Sequence, residues 1–352
     1  MSSSINQELN PTILPRSGSG CQTQDWKLAL RQAITETADL LAALDLERDR
    51  LPPLDPDPRP FGLRVPRAFV ALMRPGDPDD PLLRQVLPLA SERLVVPGFA
   101  ADPVDDAAAD QGDGLLVKYH GRALLITTGA CALHCRHCFR RHYPHAAPET
   151  GQRRLRAALA RLATDRSVNE VILSGGDPLM LDDDRLGTLL DGLEAIGQLR
   201  RVRLHSRMPV VLPARVTEAL CARLAASRLK PVVVIHANHA NELGDAAATA
   251  LARLRRAGAM LLNQAVLLRG VNDSVAAQCA LSERLLDCGV LPYYLHQLDR
   301  VQGAAHFQVE DAAARTLLAT LRTQLPGYLV PRLVRELPGA AAKLPLRAGD
   351  EL

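Results

Sequence analysis

Alternation constrains this chain more than any other feature. Short aliphatic or β-branched runs begin at ALLIT (123), EVILS (170), RVRLHS (201), PVVVIHA (231), MLLNQAVLL (260) and LPYYLHQL (291), the last four about thirty residues apart. Between them lie RRLRAALARLATD, DRLGTLLDGLEAIG, RVTEALCARLAAS, ATALARLRRAG and VAAQCALSERLLDCG. Each has apolar residues at three- and four-residue steps and charge on the opposite face. A strand, a crossover helix and a second parallel strand fill such a repeat. Six β/α units predict an α/β fold, a partial (β/α)6 barrel whose chemistry gathers at the C-terminal ends of the strands.

The repeat sets the expected organisation. Residues 1–113 form an N-terminal accessory region: a flexible arm, then a mainly helical stretch. Within it, DWKLALRQAITETADLLAALDLERD predicts one helix with Asp25 as N-cap, because Leu, Ile and Ala between Leu28 and Leu44 follow a helical period. The linker VPGFAADPVDDAAADQGDG, rich in Pro, Gly and Asp, sets a boundary near residue 113. Residues 114–325 are the core and 326–352 a C-terminal segment.

Charge and aromatic content narrow the partners. With 42 Lys+Arg against 39 Asp+Glu and a net charge of +3, no polyanion partner is indicated. Aromatic residues make up 3%, too few for an aromatic platform that stacks nucleic-acid bases. No apolar run approaches the roughly 20 residues that span a bilayer. MSSSINQELNPTILPRSGSG lacks an export-type apolar stretch, so a cytoplasmic location is expected.

Of seven cysteines, three fall within eight residues, in Cys131-Ala-Leu-His-Cys135-Arg-His-Cys138. This CxxxCxxC loop offers three thiolates, one fewer than a closed structural zinc or cluster site requires. Three readings are open: a zinc ion completed by His134 or His137, unliganded thiols, or a [4Fe–4S] cluster whose fourth iron is held by a small molecule. Cys21, Cys221, Cys279 and Cys288 have no assigned chemistry.

CxxxCxxC at the end of a first barrel strand, followed by Phe139, resembles the radical S-adenosylmethionine superfamily. Further motifs narrow the resemblance: ITTGACALHCRHCFRRHYP, VILSGGDPLML, SRMPVVLPARVT, HANHANEL, NQAVLLRGVND and PYYLHQLDRVQGAAHF. Together with KYHGRALLI and FGLRVPRAFVALMRPGDPDDPLLRQVL they resemble the lysine 2,3-aminomutase family over roughly residues 60 to 346. The nearest subgroup supplies β-lysine for modification of elongation factor P. The nine residues after Lys343 match that short subgroup better than the longer catabolic or osmolyte-forming lysine and glutamate enzymes.

The resemblance implies a role for each site residue. Cys131, Cys135 and Cys138 hold the [4Fe–4S] cluster. Ser174, Gly175, Gly176 and Asp177, with His236 and Gln264, contact S-adenosylmethionine (SAM). Lys343 forms the Schiff base with pyridoxal 5′-phosphate (PLP), whose phosphate is cradled by Lys118, Tyr119 and Arg122. Arg140 pairs with the substrate carboxylate, while Asp299 and Glu336 face the distal ammonium of lysine. A glutamate enzyme is expected to lack that paired negative charge. The implied reaction is the radical conversion of free L-α-lysine to β-lysine. Implied partners are a flavodoxin- or ferredoxin-type electron donor and, functionally, elongation factor P with its lysyl ligase. Homo-oligomers are possible; membrane or nucleic-acid partners are not expected. A rival of another class is a non-catalytic metal-binding protein of translation.

Overall fold

The computed structural model describes residues 25–144 and 151–346, so Cys21 and the N-terminal arm lie outside the described residues. Nine strands form one sheet in chain order: β1 (Leu115–Tyr119), β2 (Arg122–Thr128), β3 (Glu170–Gly175), β4 (Arg201–Ser206), β5 (Lys230–Ile235), β6 (Met260–Val266), β7 (Leu291–His296), β8 (Arg332–Arg335) and β9 (Leu344–Pro345). Pairing is parallel from β2 through β8, and β1 and β9 run antiparallel to their neighbours. All six expected strands are present. A seventh parallel strand, β8, extends the expected six units, and two antiparallel strands finish the edges.

Five short helices precede the sheet: α1 (Trp26–Arg31), α2 (Thr37–Ala43), α3 (Arg67–Val70), α4 (Pro81–Arg84) and α5 (Asp106–Ala109). The longer ones are crossovers: α6 (Gly151–Thr164), α7 (Asp183–Glu194), α9 (Glu218–Ala225, after the single turn α8, Met208–Val211), α10 (Asp245–Arg256), α11 (Val275–Asp287) and α12 (Asp311–Gln324). Their starts are written locally. Asp182, Thr217 and Ser274 accept the backbone N–H of Arg185, Leu220 and Ala277 at 3.0, 3.0 and 3.2 Å. Each such cap contributes about 1 kcal/mol. Helix α10 shows why the periodic segments fold this way: Ala247, Ala250, Leu251 and Leu254 are buried, while Arg255 and Arg256 are exposed. Strand β3, EVILSG, is buried except at Gly175, as a strand covered on both faces should be.

The single helix expected over 25–49 is instead two. Asp25 does cap the first, accepting from Lys27 N at 2.9 Å. Ile34 then leaves the helical path to pair with Val65, through N–H to O distances of 2.8 and 2.9 Å in the two directions. Two backbone hydrogen bonds and the burial of both side chains (3% and 0% exposed) outweigh the periodicity. One apolar core runs from Trp26 to Leu346, so the N-terminal region packs into the same interior as the sheet.

Strand order alone would leave β1 and β8 far apart. Lys118 Nζ, on β1, nevertheless lies 3.2 Å from Glu336 Oε1, just past β8. The sheet therefore curls, and side chains bridge the opening where no backbone ladder forms. Inside the curl is a cavity of about 460 Å3 lined by the C-terminal ends of the parallel strands. Among the described residues, no helix is long and apolar enough to cross a membrane.

Candidate active site

Each parallel strand delivers a polar group to this cavity, and all sixteen residues named above line it. The ends of β2 and β3 are locked together: Gly176 N donates to Thr128 O at 2.7 Å and Asp177 N to Ala130 O at 2.9 Å. A Cβ on Gly176 would sit 2.2 Å from Ala130 O; one on Gly175, whose φ is +119°, would sit 2.6 Å from Thr128 O. These glycines let β3 press against the entrance to the cysteine loop. The close neighbour they accommodate here is protein backbone. Asp177 is likewise engaged internally. Its carboxylate accepts from Ser206 Oγ (2.7 Å) and from the backbone N–H groups of Arg207 (2.8 Å), Leu179 (3.0 Å) and Met208 (3.1 Å).

Cys131, Cys135 and Cys138 share the cavity wall. Among the described residues, no three His, Cys, Asp or Glu side chains converge tightly enough for a single metal ion. One zinc at its usual bond length would draw its sulfurs to within about 4 Å of each other, whereas a four-iron cluster gives each thiolate its own iron. His134 stacks on Phe61 and its Nδ1 lies 2.8 Å from Gly62 O, while His137 Nε2 lies 3.3 Å from Asn238 Nδ2. Burial, reinforced by neighbouring thiols, pushes Cys131 well above the ordinary thiol range and Cys138 up to about 11. Iron loading must consequently expel protons.

Behind the cysteines stands a group that sequence reasoning missed. Arg207, just past β4, directs Nη1 to Cys135 Sγ at 2.8 Å and Nη2 to Gln85 Oε1 at 2.7 Å and Glu242 Oε2 at 2.8 Å. Burial alone would lower its pKa, but Cys135 and Glu242 outweigh that and raise it. Its only signal in sequence was a charge opening the apolar run MPVVL. Next to it, His236 contacts Gln264, whose Nε2 also lies 3.4 Å from His205 Nδ1. Burial, helped by Arg207, drives His236 down to about 3, so it works as a neutral imidazole.

Across the cavity the charges form a chain. The register Val334↔Pro345 and Arg335↔Leu344 places Lys343 opposite Glu336, and Lys343 Nζ contacts Glu336 Oε2. Glu336 Oε1 meets Lys118, and Lys118 Nζ lies 2.6 Å from Asp106 Oδ1, a close ion pair without hydrogen-bond alignment. Asp106 Oδ2 accepts from Arg140 Nε at 2.6 Å, and Arg140 Nη1 reaches Ser174 Oγ at 3.2 Å. Arg122 lies over the Tyr119 ring, 5.2 Å from its centroid. Asp106 was missed because it sits in the Asp-rich linker that reads as a boundary; it is 2% exposed.

The two acidic groups expected to face an ammonium differ. Burial would raise Glu336, but Lys343 and Lys118 hold its carboxyl below the usual glutamate range. Asp299 forms no ion pair among the described residues, and burial and the nearby Glu336 push it up to about 7.

A model of the Radical SAM superfamily matches residues 125–276. The L-lysine 2,3-aminomutase of Escherichia coli (strain K12) is 48% identical over 324 residues, 92% of this chain and 94% of that one. That of Haemophilus influenzae is 41% identical, covering 94% and 98% of the two chains. The chain belongs to the lysine 2,3-aminomutase family. A more distant lysine 2,3-aminomutase, from Clostridium subterminale, is 32% identical over 93% of this chain and 79% of its own.

Members of the lysine 2,3-aminomutase family use a [4Fe–4S] cluster, SAM and PLP, and the residues present fit all three. Three thiols, the Lys343 amine and several cations line the same cavity. Buried His137 Nδ1, Arg203 Nε and His205 Nε2 belong to cavity-lining residues and have no hydrogen-bond partner among the described residues. Buried polar atoms left unpaired cost about 1–3 kcal/mol each, so a lining with several of them is built for polar ligands.

Proposed function

We propose that this chain is an isomerase that converts free L-α-lysine to β-lysine in the cytoplasm, for attachment to elongation factor P by a separate ligase. A flavodoxin- or ferredoxin-type protein would supply the electron. The observation that carries the reading is the convergence, in one cavity, of three cysteines, the hairpin-borne Lys343 and Asp299, an acidic residue without an ion-pair partner among the described residues. When bound, the cluster and SAM supply hydrogen-atom abstraction, and PLP supplies the electron sink for nitrogen migration.

The chain's own residues do the rest. Lys118, Tyr119 and Arg122 would hold the cofactor phosphate, and the planar guanidinium of Arg140 the substrate carboxylate. Asp299 would meet the distal ammonium, whose positive charge favours its ionised form. A γ-carboxylate in that place would be repelled, which selects lysine over glutamate. Glu336 gives the Lys343 ammonium a partner whenever that amine is not covalently engaged.

The test is an anaerobic assay of the iron-loaded protein with SAM, PLP and a reductant, offering free lysine and free glutamate and resolving products on a chiral column. β-Lysine from lysine and nothing from glutamate is expected. Turnover of glutamate, or turnover of lysine that survives in Cys131→Ala, would overturn the reading.

A further inference from the structure

We propose that Arg207 is a positioning residue that hydrogen-bonds the Cys135 thiolate of the iron–sulfur cluster and makes that cluster easier to reduce. The inference rests on the reading above, in which the three cysteines hold a cluster, and adds a residue behind them.

The contact is aimed, not incidental. A guanidinium left to water samples many rotamers; this one is fixed from several sides. Besides the 2.8 Å bond from Nη1 to Cys135 Sγ, Nη2 is shared by Gln85 Oε1 and Glu242 Oε2 at 2.7 and 2.8 Å, and the plane lies over Phe69, 5.5 Å from the ring centroid. The anchors are themselves anchored. Gln85 Nε2 donates to Glu242 Oε1 (3.0 Å), and that oxygen also accepts the backbone N–H groups of Asn238 (2.9 Å) and His239 (3.0 Å). Gln85 and Glu242 are both 0% exposed. The Arg207 backbone N–H is held too, by Asp177 at 2.8 Å.

A structural tie between the N-terminal region and the sheet would need only Gln85, Glu242 and Arg207. The sulfur contact is additional to it. Among the described residues, Arg207 is the one side chain that donates to a sulfur of the cysteine loop. Reduction adds one electron from the external donor to the cluster, which becomes more negative by one unit. A donor N–H on a ligand sulfur and a fixed cation beside it both stabilise that added charge, strongly so in a buried setting. The cluster of a protein lacking this group must therefore be harder to reduce.

The test is an anaerobic redox titration of the reconstituted protein without SAM, read by the electron paramagnetic resonance signal of the reduced cluster, with iron and sulfide measured on the same samples. Two variants are compared with the parent. Arg207→Lys keeps the charge and loses the planar fork. Arg207→Gln combined with Glu242→Gln removes both buried charges together, so neither is left alone in the core. At the parent's midpoint potential, the ratio of reduced to oxidised cluster should fall about tenfold in the double variant, the size of one charge-assisted hydrogen bond, and less in Arg207→Lys. Normal iron with an unchanged midpoint would overturn the proposal. So would failure of both variants to hold iron, since Arg207 would then be needed for assembly and not for tuning. A parent protein that binds no four-iron cluster would instead overturn the underlying functional reading.

Discussion

The two walls of the cavity use similar charges in opposite ways. On the cysteine side, Arg207 and Glu242 are 9% and 0% exposed at their side chains, and each is held by several further bonds. Arg136 and Glu92 are as enclosed, at 1% and 2%, with Arg141 and the Leu89 backbone also on Glu92. On the hairpin side, Lys343, Glu336 and Lys118 remain 16 to 21% exposed, and Glu336 is their shared carboxylate. The first arrangement cannot let go of a partner without stranding a buried charge. The second can, and the proposed passage of the Lys343 amine from Glu336 to a cofactor would need that freedom. Frame and exchange are kept on separate walls.

Substitutions on the two walls should fail differently. Lys343→Ala is expected to have the largest effect on turnover, roughly 10³-fold or more, as with loss of a covalent catalytic group. Its iron content should match the parent, while the visible absorbance of lysine-attached PLP disappears. Retained absorbance would move the attachment elsewhere. Glu92→Gln should act on the fold instead. Arg136 and Arg141 would lose the carboxylate between them, and breaking such a buried pair costs about 3–5 kcal/mol, read from denaturant unfolding. A loss under about 1 kcal/mol would mean that this wall is less fixed than its contacts indicate.

Asp299→Asn should have the smallest effect, a drop of about 10- to 100-fold in kcat/KM for lysine. It carries a pH signature. Because the Asp299 carboxyl is pushed up to about 7, its negative charge appears as pH rises through that value. The parent's kcat/KM should therefore climb over roughly pH 6 to 8, and the climb should vanish in the variant. A climb that survives in Asp299→Asn assigns the titration to another group.

The central sheet was legible in sequence because its strands are short aliphatic runs and its helices are covered on one face, so the two element types carry distinct patterns. Strand β8, with its four residues RLVR, and the two-residue β9 carry no such signal. Helix continuity over 25–49 was over-read, because nothing local announces that Ile34 will find Val65. The site divides the same way. Cysteine spacing, the glycine turn after β3 and the lysine after β8 are local patterns. The pairing of Asp106 with both Lys118 and Arg140 joins three separate segments and leaves no local signature. Arg207 is similar: its partners Gln85, Cys135 and Glu242 come from three separate segments.

The contact between Lys118 and Glu336 joins the first strand of the sheet to the end of its last parallel one. In the order in which a ribosome makes the chain, the thiols emerge long before the amine that faces them. A nascent or interrupted chain thus carries the cysteine loop with one side of its enclosure missing. Until β8 and the hairpin after it are in place, those thiols lack the residues that complete the cavity lining.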